Sequence, residues 1–357
     1  MNLLTIVLYA SAILMTLSII LLLVIIVLRL VTDRNFRQEA EFRSRSKPLL
    51  RSFLAGDVTA EVAGAVLSSN PRLARLLMME EAESLGEGGR EKLLPLTASF
   101  PFVRSELSNL GSRHWEKRLR AAEALVYLGN DTALPGLMNA LRDDILSVRF
   151  AAAYSLARLG CEDAVDPILR ALDVPGEISQ RRVAEVLVIL GAKVAGPMIT
   201  VLTHPSAIEN SIAIAARVVG SLRIHRGIQP LASLLAHPSA NVRLNAVRSL
   251  ASIADHSQTP AIARLAEDPA WEVRSAVMQA LGRLGAADQI NLLLQGLSDQ
   301  EWWVRYNAAQ ALHAIGEHGI TALREAVDHH VDSYGRDMSR QILQQHGILT
   351  STPETQP

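Results

Sequence analysis

The sequence contains a single cysteine, Cys161, so no disulfide can close within the chain. A four-thiolate zinc site and a thiolate-held iron–sulfur cluster are excluded on the same count. Aromatic residues are scarce, at 6 Phe, 5 Tyr and 4 Trp in 357 residues. β-Rich domains lean on such side chains, whereas Ala and Leu lose little freedom in a helix, so an all-α chain is expected. Charge of one sign is also missing. With 35 Lys+Arg against 36 Asp+Glu there is no whole-protein field for a phosphate backbone, and nucleic acid is not expected as a partner. A Walker A loop, G-x-G-x-x-G, G-x-S-x-G and H-E-x-x-H are all absent. Cys161 follows Gly160 without a surrounding motif and reads as a buried or inert thiol. No catalytic residue, cofactor or metal is expected.

A long hydrophobic run is present. From Leu3 to Leu28 no residue is charged, and 26 helical residues reach about 39 Å, more than the roughly 30 Å of a hydrocarbon core. Only Asn2 precedes the run after Met1 and Arg29 ends it, which suits an uncleaved signal anchor rather than a cleaved signal peptide. The flank that follows carries Arg29, Arg34, Arg37, Arg43, Arg45, Lys47 and Arg51 against Asp33, Glu39 and Glu41. Positive flanks stay cytoplasmic, so the amino terminus is expected outside a bacterial inner membrane, with the rest of the chain in the cytoplasm. The same flank either holds anionic lipid headgroups or only stops translocation.

The dominant signal is internal repetition. "KRLRAAEALVYLG" from Lys117, "VRFAAAYSLARLG" from Val148, "SQRRVAEVLVILG" from Ser179, "VRLNAVRSLASIA" from Val242, "VRSAVMQALGRLG" from Val273 and "VRYNAAQALHAIG" from Val304 align without gaps, with a degenerate copy from Ser211. Their second positions are Arg118, Arg149, Gln180, Ile212, Arg243, Arg274 and Arg305, at steps of 31, 31, 32, 31, 31 and 31. Residues three, seven and ten further on are apolar, as in Ala152, Leu156 and Leu159, which forms one stripe of a helix. Gly129, Gly160, Gly191, Gly285 and Gly316 stand where a left-handed cap is needed. Pro135, Pro167, Pro197, Pro230 and Pro260 then fall near the start of a second helix. Each unit is a helical hairpin that cannot bury its stripe alone, so neighbours stack into a solenoid.

Over roughly Trp115 to Gly347 these residues resemble the short bacterial HEAT repeats of the phycobilisome-lyase-like type. The resemblance implies an α-solenoid of HEAT/armadillo-like hairpins in which the second-position Arg pairs with an Asp at the end of the preceding helix. Asp143, Asp268 and Asp299 stand six residues before Arg149, Arg274 and Arg305, whereas Arg243 has His237 there, so a break is expected in mid-array. The expected organisation is a transmembrane helix at 3–28, a basic linker at 29–47 and a divergent helical region at 48–114. About seven repeats follow at 115–330, then a polar capping helix at 331–349 and a disordered tail at 350–357.

Residues at matching positions of the second helices are Asn139, Arg170, Thr200, Ser233, Arg264 and Gln295, a polar row with little net sign. Such a groove suits a protein or peptide partner. Trp115, Trp271 and Trp302 share one phase three residues before a ladder Arg, which suggests packing at the inter-repeat turn. The sharper alternative is an aromatic anchor, for which Trp303 beside Trp302 is the best candidate. Arg118, Arg149, Arg243, Arg274, Arg305, Asp143, Asp268 and Asp299 read as a structural ladder rather than an anion-binding row. His313, His318, His329 and His330 invite a metal reading that needs convergent geometry. HEAT-type di-iron hydroxylases use His-Glu dipeptides, and here only the reversed Glu317–His318 occurs. The expected function is a membrane-anchored scaffold that binds a protein partner. The alternatives are a HEAT-type enzyme or bilin-lyase accessory, and an obligate subunit of an envelope or polysaccharide-export complex.

Overall fold

The computed structural model describes residues 3–85, 89–99, 102–129, 131–173 and 176–349. Its regular elements are α-helices and short 3-10 turns, as the composition implies. The chain divides into two compact units, Met1–Leu137 and Met138–Pro357.

The first unit holds α1 (Leu3–Ala55), α2 (Ala60–Leu67), α3 (Pro71–Ser84), α4 (Gly89–Ser99), α5 (Phe102–Leu110) and α6 (Trp115–Leu128). Residues 29–47, read above as a linker, lie inside α1, which runs unbroken for 53 residues. Among the described residues no single helix is long and apolar enough to cross a membrane. The apolar stretch of α1 with described side chains is Met15–Val27, 13 residues. The side chains of residues 3–14 and 28 lie outside the described set, as do residues 350–357 of the expected tail. Described side chains from Met15 to Gln38 are exposed, and packing begins at Phe42. From there Phe42, Leu50, Leu67, Leu77, Met78, Leu93 and Leu96 form one apolar cluster.

Ion pairs fix the same stretch of α1. Arg43 donates to Glu80 at 2.6 Å and to Glu39 at 3.1 Å, while Lys47 reaches Glu80 at 3.0 Å and Glu81 at 3.2 Å. Hydrogen bonds from Lys47 and Arg43 hold the Glu80 carboxyl below its ordinary range. Arg45 pairs with Glu41 at 2.6 Å. Much of the basic flank is therefore engaged by carboxylates of its own unit, which leaves Arg29, Arg34 and Arg37 as its exposed cations near the apolar stretch.

Helix α7 (Leu134–Ala140) lies across the division, and the second unit continues as α8 (Leu146–Arg158), α9 (Val165–Ala171), α10 (Glu177–Val188), α11 (Ala195–Thr203), α12 (Glu209–Ser221), α13 (Ile228–Ser233), α14 (Ala240–Ile253), α15 (Thr259–Ala263), α16 (Trp271–Arg283), α17 (Ile290–Gly296), α18 (Trp302–Ile315), α19 (Glu317–His329) and α20 (Ser333–Gln345). The long first helices α10, α12, α14, α16, α18 and α20 pack in sequence. Their stripes are buried, as in Val183, Leu187, Val219, Val247, Leu250, Val277, Leu281, Ala308 and Leu312. Close crossings depend on small residues. A Cβ on Gly282 would come within 2.7 Å of the Ala311 backbone, and one on Gly220 within 2.7 Å of Ser249.

The ladder arginines reach the expected turn, but they meet its backbone carbonyl, and where a carboxylate partner is seen, at Arg243 and Arg274, it comes from the following repeat. Each reaches back with Nη1 to the backbone carbonyl six residues before it: Arg118 to Ser112 (3.0 Å), Arg149 to Asp143 (2.8 Å), Arg243 to His237 (2.9 Å), Arg274 to Asp268 (2.9 Å) and Arg305 to Asp299 (2.7 Å). The carboxylate partner lies 25 residues ahead. Arg243 forks onto Asp268 at 2.7 and 2.7 Å, and Arg274 onto Asp299 at 2.7 and 2.9 Å. Helical side chains lean toward the amino end, which brings the guanidinium to its own entry turn and beside the next. His237 therefore does not break the ladder, since a carbonyl is all that Arg243 needs there. His237 Nδ1 also accepts the Ser239 N–H at 3.1 Å, the role that Asp268 plays for Ala270 and Asp299 for Glu301. Gln180 carries no cation and instead donates to Asn210, which donates to Asp173.

The carboxy-terminal helix keeps the register. Arg336 stands 31 residues after Arg305 and donates to His330 O at 2.7 Å, and α20 buries Met338, Ile342 and Leu343. Its buried face is thus a repeat's apolar stripe, while Asp337, Arg340, Gln341 and Gln345 make its exposed face polar.

Left-handed stops occur at Gly160, Gly191, Gly285 and Gly316, but Gly129 has φ −76° and is needed instead because a Cβ would strike the Leu125 carbonyl. The degenerate copies keep the left-handed turn without glycine, at Arg223 (φ 51°) and Ala254 (φ 64°). A non-glycine residue there costs about 1–2 kcal/mol. Ala254→Gly is therefore expected to raise stability by about 1 kcal/mol, readable as a rise of a few degrees in a thermal melt.

Candidate functional site

The second helices from α9 to α17 are short, from five residues in α15 to nine in α11, because each follows a 3-10 turn and ends before the next ladder turn, whereas α19 follows Gly316 directly and runs for 13 residues. The turns present one side of these helices to solvent. Asn139, Arg170, Thr200, Ser233, Arg264 and Gln295 are all exposed. Thr200 and Ser233 spend their hydroxyls on their own helices, donating to Gly196 O at 3.1 Å and Pro230 O at 2.7 Å. Arg170 sits 3.9 Å from Asp166 with both side chains largely in water, a pair worth little. Asn139, Arg264 and Gln295 make no side-chain hydrogen bond among the described residues, so they are free to meet a partner.

One member of the row lies in a groove. Between α17 and α19 a trough of about 390 Å³ is lined by Leu294, Gln295, Ala322, Glu325, His329 and Val331, among others. Its apolar wall includes Val331, which is 97% exposed. One rim is fixed by His330, whose Nε2 lies 3.1 Å from Leu294 O and whose Nδ1 accepts the Asp332 N–H at 3.2 Å. A signal for the groove was present in the sequence: Val331 occupies the turn position held by Gln300 and Pro269 in the two preceding repeats, an apolar residue where its counterparts are polar or conformational.

The tryptophans do not all pack at turns. Trp115 and Trp302 are each 42% exposed and Trp303 is 53% exposed. Trp302 stacks on Tyr306 at 5.0 Å and 13°, while Trp303 stands edge-on to Trp302 at 4.8 Å and 83°.

The histidines do not converge in the way the metal reading needs. Among the described residues no group of three or more His, Cys, Asp and Glu side chains is placed to hold a metal ion. His313 instead stacks on His346 at 3.7 Å, a residue that sequence reasoning overlooked. Burial, and secondarily the neighbouring imidazole, lowers the His313 pKa. Cys161 is half-buried.

Comparison with known proteins agrees with the repeat architecture. The family model for HEAT repeats matches residues 102–188, 198–277 and 259–344. The chain belongs to the HEAT-repeat family. No curated protein matches the sequence. Among solved structures, the CpcE–CpcF complex of phycocyanin lyase from Nostoc is 17% identical over 69% of this chain and 94% of that one, with a TM-score of 0.33. YibA of Escherichia coli is 15% identical over 68% and 92%, with a TM-score of 0.40. Human deoxyhypusine hydroxylase is 20% identical over 69% and 96%, with a TM-score of 0.29. None of the three is near enough to transfer an activity.

Proposed function

We propose that the protein is a non-catalytic scaffold that holds a protein partner at the cytoplasmic face of a bacterial inner membrane. The observation that carries the partner-binding part is the groove between α17 and α19, where Gln295 meets an open apolar wall. Peptide side chains are taken up by concave sites with few polar groups, and a solenoid offers such sites along one face.

The membrane part rests on α1. From Met15 to Val27 its large apolar side chains are each 44% exposed or more, an arrangement that water penalises and a bilayer favours. With Leu3–Leu28 in the bilayer, the exposed Arg29, Arg34 and Arg37 lie at the cytoplasmic boundary, and the amino terminus lies outside. The helix then continues 14 residues to Phe42, about 21 Å, before its first packed residue. The first unit is thereby carried away from the headgroups by a helix rather than tethered by a loop.

A photo-crosslinking amino acid at Gln295, set against one at the exposed Gln279 on α16, tests the binding face in cells. A discrete protein adduct is expected at position 295 and none at 279.

A further inference from the structure

Trp302, Trp303 and Tyr306 form an aromatic corner at the amino end of α18. The Trp302–Tyr306 stack makes one wall, and Trp303 stands perpendicular to it, at 83° to Trp302 and 87° to Tyr306. Both indoles remain open to solvent, at 42% and 53%. The Tyr306 stack covers one face of Trp302 and leaves the rest of the two indoles open, and an aromatic face carries the negative part of the ring quadrupole. Two such walls at right angles favour a cation between them.

The exposed charges around the corner have the matching sign. Glu301 immediately precedes Trp302, and Glu272 holds in the preceding repeat the position that Trp303 holds in its own. Both carboxylates are exposed and make no ion pair among the described residues. The cations nearby are already engaged. Arg274 is bound by Asp299, and Arg305 and Arg336 donate to turn carbonyls. The same ridge already seats one guanidinium on an aromatic ring: Arg305 lies 5.0 Å over Tyr334, which occupies the Trp303 position one repeat later and is 65% exposed. The row Glu272, Trp303, Tyr334 therefore crosses three successive repeats at roughly 9 Å per helix. An extended chain covers that step in about three residues.

We propose that this ridge docks an extended protein segment bearing Arg or Lys, with one cationic side chain in the Trp302–Trp303 corner and its charge balanced by Glu301 and Glu272. A small quaternary ammonium ligand fits less well, because the corner is open on its remaining sides and the row continues beyond it. The inference rests on the partner-binding reading above and names the chemistry of a second contact, at the amino ends of α18 and α20.

The test is titration of the full-length protein in detergent, at low salt, with the peptide acetyl-(Gly-Arg-Ser)4-amide, read by tryptophan fluorescence. The same peptide with citrulline in place of Arg removes the charge and keeps the shape. Saturable binding is expected, weakened about fivefold or more by citrulline and by Trp303→Ala. The paired Glu272→Gln and Glu301→Gln variant should weaken it a few-fold and flatten its salt dependence, while Trp115→Ala leaves it unchanged. These side chains are exposed, so the variants should keep the parent helical signal, which is checked by circular dichroism. No saturation by about 1 mM peptide overturns the proposal, as does equal affinity for the citrulline peptide or for Trp303→Ala. Loss of the Gln295 adduct with peptide binding intact refutes the groove and leaves the ridge standing; the reverse result refutes the ridge alone.

Discussion

Asp268→Ala is expected to lose about 3 kcal/mol of stability, measured by urea unfolding of the full chain in detergent. The Arg243 and Asp268 side chains are only 12% and 5% exposed, so the substitution leaves a guanidinium in poorly hydrated surroundings without its carboxylate. It also removes the acceptor for the Ala270 N–H at the start of α16. Asp337→Ala serves as the control. That carboxylate is 73% exposed and pairs with Arg340 within one helix, so its loss should cost no more than about 0.5 kcal/mol. The two classes differ because solvent screens one pair and not the other.

The same carboxylates set a pH dependence. Burial pushes the Asp268 and Asp299 carboxyls up, but the hydrogen bonds from Arg243 and Arg274, with backbone N–H groups, outweigh it and leave both below the ordinary range. A folded-state pKa held below the unfolded value contributes stability that is complete above about pH 4 and is lost as pH falls through the depressed value. Acid unfolding of the parent chain is therefore expected to steepen below about pH 4, and Asp268→Ala should show less of that steepening.

Removing Met1–Leu28 should have the largest effect of all on where the protein is found. The full chain is expected to sediment with membranes and resist extraction by salt, while the shortened chain should be soluble, helical and cooperatively folded. The reason is positional: the first packed residue of α1 is Phe42, and the Arg43, Lys47, Glu80 and Glu81 pairs lie wholly beyond the deletion. Shortened protein that still sediments with membranes, or that aggregates with little helical signal, would contradict the anchor and the independence of the body from it.

How much of this was legible in the sequence depends on what each feature needs. A 31-residue period states which residues align, so the ladder positions, the apolar stripe and the hairpin architecture could be read directly. It does not state whether an Arg reaches back or forward. That depends on side-chain lean, and the carboxylate partner of Arg243 proved to be Asp268 rather than anything near His237. Arg336 was hidden because Ser339 and His346 interrupt its apolar stripe, although the step from Arg305 is again 31. The left-handed turns at Arg223 and Ala254 carry no glycine to announce them. Residues 29–47 looked like a linker because their described side chains up to Gln38 are exposed and the packing that follows rests on Phe42 and on Arg43 and Lys47 pairing with α3, a pattern with no apolar period. The exposed row could be placed by register, but the groove at Gln295 required knowing that α19 leaves a gap against α17.

The measurement that bears most directly on the scaffold reading is the in-cell crosslink at Gln295. A single dominant protein adduct is expected in the membrane fraction, absent when the crosslinker sits at Gln279 and absent when Ala322→Arg fills the groove. Adducts confined to Gln279, or none at Gln295 in protein that purifies with a bound metal or chromophore, would contradict it and favour the enzyme alternative.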